Sequence, residues 1–220
     1  MFKTLTFLII ASLGNFKILH CQTTGSWSIL NLNYGINSKF NIQSETQLRS
    51  LQYYKSFHYF ESKAVVTYSG YKDILFALGF GKYSTYSEGG TFVEPLKSDE
   101  WRIWPQLITI QQWNQLKLEH RYRYEARIYT NGNFKNRFRY RLNLVYPLLK
   151  KIKLQTSSEL FFSPYEPYFE RLRLASGLVY KHSSLISIFT GYLYQIDYKI
   201  FDETGKHFTQ FGIYFNLNKQ

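Results

Sequence analysis

The chain is predicted to be all-β: an antiparallel transmembrane β-barrel of 10 or 12 strands behind an N-terminal signal peptide. Three observations carry that prediction. Apolar and polar residues alternate with period two along nearly the whole chain, the spacing that sends successive strand side chains to opposite faces. The alternating runs are long, about 9–15 residues, where strands of soluble proteins centre on about 5–6. One parity is loaded with arginine and glutamate, the other with aromatic and aliphatic residues.

The first element is the leader. Lys3 precedes an apolar stretch from Leu5 to Leu13, which is too short to span a bilayer and has the layout of a secretory signal. Residues 1–21 are therefore assigned to a signal peptide and 22–220 to one barrel domain. Cleavage after Cys21 removes the only cysteine, so neither a disulfide framework nor a cysteine metal site is expected. The whole chain carries a formal charge of +12, and removal of Lys3 and Lys17 with the leader leaves +10.

Eleven strand candidates follow: 27–35, 39–49, 60–70, 73–83, 100–112, 115–129, 134–146, 152–162, 169–181, 185–196 and 208–217. Turn-forming residues separate them, among them Gly35-Ile36-Asn37-Ser38, Trp113-Asn114, Asn131-Gly132-Asn133 and Ser163-Pro164-Tyr165-Glu166-Pro167. Short links after odd-numbered strands and longer ones after even-numbered strands are the habit of an outer-membrane barrel. Residues 84–99 and 197–207 are the longest links and the expected surface for partners. Bacterial single-chain barrels have even strand numbers. Eleven candidates therefore predict either a strand hidden in 51–60 or 84–99, or a first segment outside the wall.

Parity then assigns the faces. In 115–129, Lys117, Glu119, Arg121, Arg123, Glu125 and Arg127 share one face, with Leu116, Leu118, Tyr122, Tyr124 and Ile128 opposite. In 134–146, Arg137, Arg139 and Arg141 oppose Phe138, Tyr140 and Leu142. Glu45, Arg49, Glu61, Lys63, Glu100, Arg102, Lys153, Glu159, Arg171 and Arg173 join the polar face. In a soluble barrel the greasy face would point inward; in a membrane barrel it meets lipid and the charges line the lumen. Aromatics at strand ends (Tyr129, Phe134, Phe162, Tyr165, Tyr168, Phe169, Tyr192, Tyr194, Tyr198) fit interfacial girdles. With a turn centred on Gly132, Glu125 is expected opposite Arg139, and Arg123 opposite Arg141.

The order R-x-R-x-E-x-R at 121–127, R-x-R-x-R at 137–141, Glu159, Glu170-Arg171-Leu172-Arg173 and Gly191-Tyr192-Leu193 with Gln195 resembles a bacterial family known only as a domain of unknown function. Glu45 to Arg49 and Glu100-Trp101-Arg102 add to the likeness. The resemblance implies an outer-membrane barrel and no activity, so it carries over no catalytic residue.

Function is read from the polar face. Thirteen cations against six glutamates leave an excess there. Guanidinium groups fork onto carboxylates and phosphates, so surplus arginine favours small anions. The candidate lumen residues are Arg121, Arg123, Arg127, Arg137, Arg139, Arg141, Arg171 and Arg173, with Glu45, Glu119, Glu125 and Glu159. The competing account is an Arg–Glu network that fills a narrow barrel. Nucleic acid is not an expected partner, because rings and arginines fall on opposite faces rather than in one groove. Expected partners are outer-membrane lipids, lipopolysaccharide and small anions. No cofactor or metal is expected, since no ligand cluster with metal spacing exists. Two alternatives remain open: a lipid-modifying outer-membrane enzyme, with His207, Ser84 or Ser87, and Asp99 or Asp202 as loop residues that would have to converge, and a soluble periplasmic ligand-binding barrel. Gly79-Phe80-Gly81 is expected to relieve crowding at the wall.

Overall fold

The computed structural model describes residues 24–87, 96–200 and 202–218. The predicted leader and the middle of the 84–99 link lie outside them. Among the described residues, eleven strands form one closed barrel: β1 (Gly25–Gly35), β2 (Phe40–Gln52), β3 (Lys55–Tyr71), β4 (Ile74–Tyr86), β5 (Leu96–Trp113), β6 (Leu116–Tyr129), β7 (Phe134–Leu149), β8 (Ile152–Phe162), β9 (Phe169–Lys181), β10 (Ile186–Lys199) and β11 (Asp202–Asn218). Each strand pairs antiparallel with its sequence neighbours, and β1 closes the wall against β11 in parallel.

The expected count of 10 or 12 is thus corrected to 11. A meander with an odd number of strands has its first and last strands pointing the same way, so closure requires one parallel pair. Gly25 through Gly35 supply it, paired residue for residue with Phe208 through Asn218. No extra strand is needed, and the first segment belongs to the wall.

Two predicted links are also shorter than expected. Residues 51–60 form the tip of a β2–β3 hairpin that turns at Tyr53-Tyr54, with Tyr54 and Ser56 at positive φ. Most of 197–207 is strand, because pairing runs on to Lys199↔Asp202. The longer described links 130–133 and 163–168 lie at the end that also carries 53–54. The opposite end carries the links 36–39, 72–73, 114–115, 150–151 and 182–185, and is called the short-turn end below.

The β6–β7 register differs from the expectation by two residues. Glu125 faces Arg137, Arg123 faces Arg139 and Arg121 faces Arg141. Tyr129 and Asn133 close the hairpin through a 2.9 Å backbone bond, so Asn131 is the centre of a three-residue loop. Gly132 (φ 85°) is its third residue, the place where such loops demand a left-handed backbone.

The polarity is inverted relative to a soluble protein. Phe138 is 40% exposed on the outer wall, whereas Arg137 and Arg139 flanking it are 5% and 8% exposed inside. Leu78, Phe80, Trp101, Ile103, Tyr122 and Tyr124 likewise face outward. Rings also gather at the rim, where Phe162 meets Phe169 and Phe169 meets Tyr198 at centroid distances of 5.4 and 4.8 Å. Among the described residues no helix is long and apolar enough to cross a membrane; the apolar girdle belongs to strands.

Candidate functional site

The lumen is the site, and strand pleating builds it. Wherever an arginine or glutamate faces inward, the residues two before and two after it do so as well. That rule places rings inside too. Trp27 leads toward Asn31 on β1, Trp104 follows Arg102 on β5, and Phe161 follows Glu159 on β8; all three rings are 4% exposed or less. This corrects the expectation that rings and arginines fall on opposite faces: these three rings share the arginines' side of the wall, and its curvature brings the two together.

The guanidinium groups stack on these rings. Arg49 lies 3.5 Å from the Trp27 ring centre and 4.1 Å from that of Tyr59. Arg102 lies 3.7 Å from Tyr83, and Arg123 4.8 Å from Trp104. Phe161 is surrounded by Arg137, Arg139, Arg171 and Arg173, at 5.1, 4.5, 5.6 and 4.8 Å. A weakly hydrated planar cation on a ring face is among the cheapest ways to hold positive charge away from water. Trp104 finds its space through Gly79: a Cβ there would sit 2.3 Å from the indole. The Gly79-Phe80-Gly81 segment therefore relieves crowding, as expected, and Gly81 does the same beside Lys63.

Carboxylates bind the arginines in two groups. The central group turns on Glu125, which is fully buried. It accepts from Arg137 at 2.6 and 3.0 Å, from Arg139, and from Arg123 at 3.3 Å, with Arg102 at 3.9 Å. Glu100 takes Arg102 at 2.5 Å and a fork from Arg127 at 2.7 and 2.9 Å. Glu170 lies 3.6 Å from Arg137. The second group lies one rung closer to the short-turn end. There one oxygen of Glu159 accepts from both Arg121 (2.5 Å) and Arg139 (2.7 Å), and the other lies 3.7 Å from Arg173. Arg141 has Glu119 at 3.8 Å, and Glu119 is also 3.5 Å from Lys117. On the far side of the barrel Glu61 accepts from Arg49 (2.8 Å), Lys63 (2.6 Å) and Tyr59 (2.8 Å), while Glu45 holds Lys63 and accepts from Asn31 (3.0 Å).

A cavity of about 910 Å³ runs through this lining, from Lys97, Glu170 and Lys199 at one rim to Gln43, Glu119 and Gln155 near the other. Of the twelve residues singled out by sequence, Arg121, Arg123, Arg127, Arg137, Arg139, Arg141, Arg171, Arg173, Glu45, Glu119 and Glu159 line it. Glu125 does not; the arginines around it seal it off. Lys117 and Lys153, counted on the inner face, do not line it either, because their strands are there within a few residues of the rim. Three cations and two acids missed at that count do line it: Lys97, Lys199 and Lys206, with Glu170 and Asp197. Three of them lie in 197–207, which reads as a link in the sequence but is mostly strand. Among the described residues, fourteen Lys and Arg against seven Asp and Glu line the cavity, a surplus of seven.

The residues considered for hydrolysis are brought together only in part. Ser84 donates to Asp99 at 2.6 Å between β4 and β5. His207 lies on β11, stacked on Tyr194 at 4.7 Å and bonded to the Tyr192 hydroxyl, and β1, β2 and β3 separate it from that pair. Among the described residues no three His, Cys, Asp or Glu side chains gather as metal ligands.

The family model described as "Protein of unknown function (DUF2490)" matches residues 24–204. No curated protein matches the chain. Among solved structures, the chain is similar to one titled as the NanC porin in a rhombohedral crystal form, at 15% identity and a TM-score of 0.55, over 88% of this chain and 97% of the other. At that identity the likeness speaks to fold: a porin-type β-barrel.

Proposed function

The chain belongs to this family of unknown function, and we propose that it is an outer-membrane barrel whose lumen binds and passes small anionic solutes. The observation that carries the reading is the surplus of seven cations on a cavity that runs along most of the lumen. A network present only to fill the barrel needs charge balance, because a buried charge without a partner is costly. An excess on the wall of an aqueous cavity instead raises the local anion concentration and repels cations. The outward band of Leu, Phe, Tyr and Trp supports a lipid surround, and the porin-type fold is compatible with passage. Ring stacking and ion pairs occupy much of the middle, so the solute is small.

Planar bilayers test this. Reconstituted protein under a salt gradient is expected to give a reversal potential of the anion-selective sign. The preference is expected to fall when Arg141 and Arg171, each with a side chain 29% exposed to the lumen, become Gln. A bilayer that stays electrically silent overturns passage.

A further inference from the structure

The surplus charge is not spread evenly, and its distribution locates a discrete site. Around Glu159 and Glu119, five cations (Arg121, Arg139, Arg141, Arg173 and Lys117) meet two carboxylates, and of the five only Arg139 also reaches Glu125. Arg121 and Arg141 are direct cross-strand partners, an arrangement of like charges that is unfavourable unless an anion lies between them. Glu159 meets Arg121, but Arg141 has no carboxylate within hydrogen-bond distance: its nearest, on Glu119, is 3.8 Å away. The Nε groups of Arg121, Arg139 and Arg141 are buried with no acceptor, a deficit that native interiors ordinarily avoid. The group is therefore short of acceptor oxygens. It is also open, since the Arg141 side chain is 29% exposed and lines the cavity. The wall beside it carries Ser157 and Gln155, which add no charge and leave room.

We propose that Arg121 and Arg141 hold a single oxyanion, a carboxylate or a phosphate, in the lumen on the short-turn side of Glu159. Two guanidinium forks from adjacent strands match a group that presents two or more oxygens, and a halide cannot bridge them in that way. Ser157 and Gln155 supply further hydroxyl and amide donors. The inference deepens the anion reading and rests on it for access, but it makes a claim of its own. The lumen contains a saturable site, rather than only a diffuse positive potential.

The test is calorimetric titration of the folded, detergent-solubilised barrel with sodium phosphate and with sodium acetate, against sodium chloride at matched ionic strength. Saturable binding of phosphate or acetate is expected, and whichever binds identifies the oxyanion class. Affinity is expected to fall about tenfold or more in Arg141→Gln and less in Arg141→Lys, which keeps the charge and loses the fork. Lys135→Gln, an equal loss of charge at the opposite rim, is expected to leave it unchanged. Heat-dependent gel mobility checks that each variant is folded, and Arg141→Lys preserves the test if Arg141→Gln is not. Binding that survives Arg141→Gln intact, or that chloride matches, overturns the site. So does the absence of any saturable binding; anion-selective conductance under that result would leave the passage reading standing, whereas loss of both would remove the two together.

Discussion

The Glu125 group and the Arg121–Arg141 pair are built from the same kinds of residue and meet on the same two strands, β6 and β7, yet they are in opposite states. Around Glu125, five arginines (Arg102, Arg123, Arg127, Arg137 and Arg139, the last shared with Glu159) meet three glutamates (Glu125, Glu100 and Glu170), and the key carboxylate is fully buried. One rung away, five cations share two carboxylates, and one arginine stands open to the cavity. The difference teaches where a charged lumen is structure and where it is equipment. A closed network, its carboxylate buried among the arginines, holds the wall in shape. One that leaves an arginine open to the cavity is free to take a ligand.

The sharpest way to break that contrast is Glu125→Gln. It leaves Arg102, Arg123, Arg137 and Arg139 facing one another without their shared anion. Removal of one partner from a buried ionic group costs about 3–5 kcal/mol. Urea unfolding in lipid vesicles is expected to show a loss of that size, and adding Arg139→Gln is expected to recover part of it. A variant as stable as the parent would mean that the centre is not structural.

A somewhat smaller effect is expected from Phe138→Arg, which tests the wall that separates lumen from surroundings. An arginine is native at 137 and 139, and at 138 it would face lipid. At the bilayer midplane that costs about 2–4 kcal/mol, falling toward zero near the interfaces. The same unfolding measurement reads it; no change would place position 138 away from hydrocarbon.

The smallest effect sharpens the comparison from the other side. Arg141→Gln removes one member of a like-charged pair and no hydrogen bond to a carboxylate, so its unfolding free energy is expected to stay within about 0.5 kcal/mol of the parent. A large loss would show that Arg141 belongs to the scaffold and not to an open site.

Much of this was legible before any fold was known. Parity alone placed Arg137 and Arg139 on one face and Phe138 on the other, and the length of the runs favoured a membrane wall over a soluble sandwich. The rings of Trp104 and Phe161 were not legible in this way: the sequence reading set rings and arginines apart, and nothing local marked these two as stacking partners. The hairpin register was missed by two residues. Asn-Gly-Asn reads equally well with Gly132 at the centre or at the third loop position, and the choice depends on how the two strands twist together.

The sequence by itself determined a β-barrel with grease outward and cations enclosed, because period two is a property of each strand taken alone. Closure at eleven strands, and which arginine meets which carboxylate, were decided only by the tertiary structure. Those contacts join strands that are neighbours around the barrel, and a shift of two residues in one hairpin keeps every face while exchanging every partner. Local alternation cannot feel that exchange; the closed wall can.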